Sequence, residues 1–252
     1  MSKWERYSIL NEDMRIRSYL PETRLMSEQN LRDLLAVYES VILKPAAASG
    51  GVGVMIVSSL GNDHFEVQIK LEKQVITRDD LFSYLTKEII KDFASFIPIK
   101  EVMDVLSESY IIQHRIPLAQ VDHRPFDIRV MVQRKVDSPW VVTGKLAKLA
   151  DSGYAITNVN LGAVILPVET VLQRSPSLQA LPEQALLAEL DHVALLATER
   201  LAQHFQIRMV GYDLCLDNQG KVWIIEANFR PDDYIFLDLE DKTMYETIRD
   251  YS

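Results

Sequence analysis

Cysteine is almost missing from this chain: Cys215 is the only one in 252 residues. No internal disulfide can form, and zinc sites built from several thiolates are excluded. Positive charge is also scarce. Lys and Arg number 27 against 36 Asp and Glu, for a net charge of −9. That leaves no cationic excess to neutralise a nucleic-acid backbone or an anionic bilayer, although one nucleotide in a local basic pocket remains compatible with it. Neither nucleic acid nor membrane is an expected partner. No uncharged apolar run approaches a membrane span, and the opening MSKWERYSIL has no apolar signal core, so a cytoplasmic location is expected. Several motifs are missing as well. No Gly-x-Gly-x-x-Gly leads from a strand into a helix, which disfavours a dinucleotide fold. No Gly-x-Ser-x-Gly elbow supports a serine hydrolase. His64, His114, His123, His192 and His204 lack metalloprotease or facial-triad spacing, and each reads as a surface or capping residue.

What is present is a mixed α+β pattern with 48% hydrophobic and 25% charged residues, ordinary for a globular protein. Two short helices, Lys3–Leu10 and Glu12–Tyr19, are expected before Pro21, then a short strand at Thr23–Met26. Ser27 reads as an N-cap for a helix to about Tyr38 with Leu31, Leu34 and Leu35 on one face. Val41–Lys44, Val54–Ser59 and Phe65–Lys70 read as strands, the last two joined by the turn Gly61-Asn62-Asp63. Thr77 with Asp80 resembles a capping box for a helix through Phe93. A short helix is expected at Val102–Ser107. Strands follow at Tyr110–Gln113, Phe126–Arg134 and Trp140–Leu149, then a polar loop at Asp151–Ala163. The longest helix is expected at Pro182–Phe205, and a closing one at Thr243–Tyr251. The best candidate for a domain boundary lies around Ile112–Pro117.

The most informative stretch is GYDLCLDNQGKVWIIEANFRP, two strands joined by the turn Asp217-Asn218-Gln219-Gly220. Side chains two apart on a strand share a face, so Glu226 and Asn228 project together after the buried run Val-Trp-Ile-Ile. With a four-residue turn, Asp213 joins them. Two carboxylates and an amide oxygen form a hard-oxygen site suited to Mg²⁺ that is also held by phosphates. Polar strand ends meeting water are common, so the hairpin alone leaves metal binding and solvation both open.

Upstream, Lys44 ends a strand just before Ser49-Gly50-Gly51-Val52-Gly53. Small residues let backbone N–H groups approach phosphate closely, and the lysine adds charge. The Gly-Lys-Ser/Thr ending of a P-loop is absent, and a plain glycine turn is the competing reading. Asp127 and Arg129 share one strand face, opposite Phe126, Ile128 and Val130. They read either as a surface ion pair or as an arginine facing developing negative charge. Lys145 and Lys148, three apart, fall on opposite strand faces, so at most one reaches a site without a bulge. Asn158 and Asn160 are expected either to bond their own loop or to orient a carboxylate or phosphate.

Taken in order, a strand lysine, a Gly-rich turn, Asp-x-Arg, a lysine strand, an Asn loop and then Asp with Glu-x-Asn resemble the ATP-grasp superfamily. The likeness is to its YheC/YheD-like, endospore coat-associated branch. It is carried by KWERYSIL, LPETRLMS, VILKPAAASGGVGV, YIIQHRI, RPFDIRVMVQ, WVVTGKLAKLA, TNVNLGA and the terminal hairpin, across nearly the whole chain. The resemblance implies an ATP-grasp fold of two α+β lobes with ATP between them, here residues 1–112 and 113–252. Longer relatives carry a further N-terminal domain ahead of the KWERYSIL-like segment, so this chain is expected to lack a separate pre-grasp domain. It implies Lys44, Ser49, Gly50, Gly51 and Gly53 at the nucleotide phosphates, Lys70 as a second nucleotide lysine, and Gln113 at the adenine edge beside Ile111 and Ile112. Arg129, Lys148 and Asn158 would serve catalysis, and Asp213, Glu226 and Asn228 would hold one or two Mg²⁺. The implied reaction joins a small carboxylate to an amine, an amino acid or peptide, through an acyl phosphate with release of ADP and phosphate. An ATP-binding coat or assembly protein without turnover and a small-molecule kinase are the alternatives. Lys148 stands where relatives often have arginine, and Gly162-Ala163 where they have Gly-Gly, so the departures touch the acceptor side. A homodimer is a plausible way to complete that side.

Overall fold

The structure, a computed structural model, describes residues 2–47, 52–93, 109–154 and 156–252, with side chains excepted at 92 and 93. The helix expected at Val102–Ser107 lies outside the described residues. The chain divides into two compact units, Met1–Trp4 with Pro21–Arg115 and Glu5–Leu20 with Ile116–Ser252.

In the first unit the strands are β1 (Thr23–Leu25), β2 (Ser40–Pro45), β3 (Met55–Gly61), β4 (His64–Ile69), β5 (Glu72–Thr77) and β6 (Tyr110–His114). They form one antiparallel sheet in the order β1-β6-β2-β3-β4-β5. Helices Glu28–Val37 and Arg78–Phe93 accompany it. The first begins at the expected cap, where Ser27 Oγ accepts from Asn30 N at 3.1 Å. Val41, Leu43, Tyr110 and Ile112 point into the core with Leu31, Leu34, Leu81 and Leu85. Alternation therefore turns Lys44, Ile111 and Gln113 to the opposite face. Strand β5 was not legible in the sequence. It is an exposed edge strand, so no hydrophobic period marks it.

The second unit holds β7 (Gln120–Val121), β8 (Arg124–Gln133), β9 (Val141–Leu149), β10 (Val164–Leu166), β11 (Met209–Leu216) and β12 (Val222–Asn228). The order is β10-β9-β8-β11-β12, with β7 paired to β8. Ile128, Val130, Val132, Val210, Tyr212 and Leu214 pack on one face with Leu186, Leu190, Val193 and Leu201 of the helix Glu183–Ala202. On the other face Met131 and Leu146 meet Ile235, Phe236, Leu239 and Ile248 of the C-terminal segment. The charged residues of this face stand beyond those contacts.

The compact units part between Arg115 and Ile116, not at the expected 112/113, so Gln113 falls in the first unit. Residues 5–20 belong with the C-terminal unit. Their apolar side chains Leu10, Ile16 and Leu20 join its core. Arg200 Nε donates to the Ile9 carbonyl at 3.1 Å, and the Tyr19 hydroxyl to Glu189 at 2.6 Å. The Tyr19 carbonyl accepts from Ile224 N at 2.8 Å, blunting the exposed edge of β12.

Candidate ATP and metal site

The hairpin β11–β12 closes through Asp217, whose Oδ1 accepts from Gln219 N and Lys221 N while Oδ2 accepts from Trp223 Nε1 at 2.9 Å. Gly220 holds φ at +80°, which the turn requires. Five residues, not four, separate the strands, so regular pairing would set Asp213 opposite Ile225 and turn Glu226 away. A β-bulge prevents this. Leu214 pairs Ile224 and Asp213 pairs Glu226, leaving Ile225 as the extra residue. Gly211 pairs Asn228 two residues further on. Asp213, Glu226 and Asn228 thus share a face as expected, by a different route.

The same face carries a buried ionic cluster. Arg129 stands opposite Asp213 across β8–β11, and Asp127 opposite Lys148 across β8–β9. Arg129 donates through Nε to Asp213 Oδ1 at 2.9 Å and through Nη2 to Oδ2 at 3.4 Å. Lys148 Nζ donates to Asp213 Oδ1 at 2.9 Å and lies 3.1 Å from Asp127 Oδ1. Thr157 donates its hydroxyl to Asp127 Oδ2. Asp127, Arg129 and Lys148 are only 8%, 8% and 6% exposed. The Asp127–Arg129 pairing is therefore not a surface ion pair: each side chain is buried and takes its partner from a neighbouring strand. Lys145 faces the other way and pairs with Asp191 of the long helix at 2.6 Å, so a single lysine of the two reaches the cluster.

Two cations balance two carboxylates here, and burial decides how each titrates. Burial pushes the Asp127 carboxyl up to about 6, with Lys148 pulling it back and Asp213 adding to the rise. Burial acts against ionised Asp213 too, but Arg129 and then Lys148 outweigh it and hold that carboxyl well below the usual range. Lys148 is raised despite burial because Asp127 and Asp213 favour its charge. Asp213 is the firmly ionised member.

The donor set fits a hard divalent cation. Asp213 offers four lone-pair sites and accepts three contacts, and Glu226 and Asn228 bring another carboxylate and an amide to its face. Among the described residues no group of three or more His, Cys, Asp or Glu side chains is placed to hold a metal. Two carboxylates with an amide match Mg²⁺ that completes its shell with phosphate and water oxygens.

In the first unit Lys44 and Gln113 come together: Lys44 Nζ donates to Gln113 Oε1 at 2.7 Å. Gly53 holds φ at +70° and its carbonyl accepts from the Tyr110 hydroxyl at 3.1 Å. Ile111 shares the face of Gln113, whereas Ile112 packs in the core, so alternation leaves only Ile111 to flank an adenine there. Lys70 sits exposed at the β4–β5 turn with φ at +54°. Ser49, Gly50 and Gly51 lie outside the described residues. Asn158, expected as a catalytic residue by resemblance, has its Oδ1 accepting from Asn160 N at 2.8 Å, where it caps the short 3₁₀ turn Val159–Leu161, the local alternative of the two roles.

Sequence reasoning missed Thr157, Arg6 and the burial of Asp127. The signal for Asp127 was available: it lies in an unbroken run of ten strand residues, and an acid buried within such a strand needs a partner. Arg6 lies 5.4 Å from the centre of the Phe229 ring. Among the described residues its buried Nε has no acceptor. Burial lowers its pKa, while the negative charge of Glu226 works against that fall. A lone arginine in the first helix carries no such sign.

Residues 1–252 match the family model described as YheC/D like ATP-grasp. Two curated relatives, the endospore coat-associated proteins YheD and YheC of Bacillus subtilis (strain 168), are 26% and 24% identical over 238 and 234 residues. Those matches take in 93% and 91% of this chain but 49% and 59% of the relatives, so it spans about half their length. A biotin carboxylase–β-γ-ATP complex from Campylobacter jejuni is similar in fold, with a TM-score of 0.59 at 14% identity, covering 98% of this chain and 45% of that one. D-cycloserine synthetase DcsG gives 0.55 at 13%, covering 99% and 69%. Among the described residues no helix is long and apolar enough to cross a membrane. With the whole sequence matched and the expected two-sheet α+β architecture in place, this chain belongs to the YheC/D-like ATP-grasp family.

Proposed function

We propose that the chain is an ATP- and Mg²⁺-dependent carboxylate–amine ligase. The observation that carries this reading is the buried cluster of Asp127, Arg129, Lys148 and Asp213 on the face shared with Glu226 and Asn228. A protein gains little stability from burying four charges, because desolvation offsets most of their attraction. Such a cluster is better explained by anionic chemistry that needs fixed, dry cations.

In this reading Lys44 and the loop through Gly53 bind nucleotide phosphates. Asp213, Glu226 and Asn228 hold Mg²⁺, which when bound neutralises phosphate oxygens. Arg129 and Lys148 face the transferred phosphoryl group and are oriented by Asp213 and Asp127. The substrate carboxylate attacks the γ-phosphorus, breaking its bond to ADP and forming an acyl phosphate. An amine then attacks the acyl carbon, phosphate leaves with its oxygen, and the amine proton is released. Catalysis consists of positioning and charge neutralisation. The substrate class is a small carboxylate with an amino acid or peptide amine.

The names of the curated relatives favour a second reading, an ATP-binding, coat-associated protein without turnover. Incubation with ATP, Mg²⁺ and pooled amino acids and peptides separates the two. ADP, phosphate and a dehydrative mass gain support the ligase. A phosphate mass gain indicates a kinase, and no substrate-dependent ADP supports the binding role. Replacing Glu226 with Gln should cut Mg²⁺-dependent turnover by about 10²–10³-fold and weaken Mn²⁺ binding, with melting nearly unchanged. Wild-type turnover in that variant would overturn the metal assignment.

A further inference from the structure

Three buried polar side chains of the first unit form a directed chain. The Thr23 hydroxyl donates to the Pro21 carbonyl at 2.9 Å. Gln113 Nε2 donates to Thr23 Oγ1 at 2.8 Å, and Gln113 Oε1 accepts from Lys44 Nζ at 2.7 Å. Lys44, Gln113 and Thr23 are 6%, 4% and 4% exposed. They occupy adjacent strands in the order β1, β6, β2, and Thr23 stands directly opposite Gln113.

The direction of the chain is fixed at its far end. A hydroxyl has one proton, and that of Thr23 is committed to a backbone carbonyl, so toward Gln113 its oxygen can only accept. The amide must turn its NH₂ to Thr23 and its carbonyl oxygen to Lys44. An ammonium has donors only, so the opposite amide orientation would set donor against donor in a buried place.

We infer that Gln113 is a positioning residue for Lys44, oriented by Thr23, and that it acts on a bound polyphosphate through that lysine rather than reading the adenine base. Both ends of its amide are already engaged within the sheet. This rests on the assignment of Lys44 to nucleotide phosphates, and the ligand class is a nucleoside triphosphate held by its phosphates.

The test compares Thr23→Val, Thr23→Ser and Gln113→Met with the wild-type chain, each checked by thermal melting. Affinities for ATP and for inorganic tripolyphosphate are measured, together with the rate at which an amine-acylating reagent labels Lys44. Thr23→Val and Gln113→Met should weaken ATP and tripolyphosphate alike by about tenfold, the worth of one hydrogen bond to a charged group, and should speed Lys44 labelling. Thr23→Ser should restore wild-type values. Loss of ATP affinity with tripolyphosphate binding unchanged would overturn the inference in favour of adenine reading. Lys44 labelling unaltered in both variants would also overturn it. If the wild-type chain binds neither ligand, the nucleotide assignment fails, and the labelling arm still decides whether Thr23 and Gln113 hold the lysine.

Discussion

Lys148 offers the sharpest perturbation of the ionic cluster. Its ammonium serves Asp213 at 2.9 Å and Asp127 at 3.1 Å; if the lysine is lost, Asp213 keeps its hydrogen bonds from Arg129, while among the described residues Asp127 keeps the Thr157 hydroxyl as its hydrogen-bond donor. Lys148→Met preserves most of the volume and removes the charge. Leaving a buried carboxylate without its cation costs about 3–5 kcal/mol. At about 2–4 °C per kcal/mol for a domain of this size, the second unit should melt about 6–20 °C lower near neutral pH. The loss should depend on pH with a definite sign. The Asp127 carboxyl titrates at about 6 in the folded chain, above its unfolded value, and without Lys148 it rises further. A group raised on folding contributes stability that is present below its unfolded value and is lost as pH rises through the folded one. The gap between variant and wild type should therefore widen from about pH 5 to about pH 8, by about 1.4 kcal/mol for each unit of further rise. Adding Asp127→Asn should recover much of the stability, because no unpaired charge then stays buried. Tryptophan fluorescence reports this unit through Trp140 and Trp223. A loss below about 1 kcal/mol at neutral pH, or a gap indifferent to acid, would refute the reasoning.

Other expectations follow from packing and turn chemistry. A methyl group at Gly211 would stand 2.4 Å from Pro231 Cβ, so Gly211→Ala should destabilise by about 1–3 kcal/mol, measured by urea unfolding. Asp217→Ala removes three hydrogen bonds from the β11–β12 turn, that from the Trp223 indole among them. It should cost about 2–3 kcal/mol and slacken Asp213 against Glu226, visible as faster amide exchange along β12. Unchanged protection would separate the turn from the site.

Much of the fold was legible because local rules act over a few residues. The Ser27 cap, the apolar stripe of the long helix and the alternation of β8 each depend on neighbours in the chain. The elements that escaped notice, β5, β7, β10 and the helix Val168–Arg174, are short or exposed and carry too few apolar positions to show a period. Residues 5–20 were legible as helix but not as part of the second unit, since the partners that hold them, Glu189, Arg200 and Ile224, come from nearly two hundred residues away.

The sequence by itself determined which side chains could carry chemistry and, through strand period, which near neighbours share a face: Asp127 with Arg129, Glu226 with Asn228. The family likeness rests on the same local order. Only the tertiary structure decided who pairs with whom. Cross-strand register placed Asp213 against Arg129 and Lys148 against Asp127. A single extra residue at Ile225 kept Glu226 on the face of Asp213. Those outcomes depend on how separate strands align, a property of the whole sheet that no local spacing encodes.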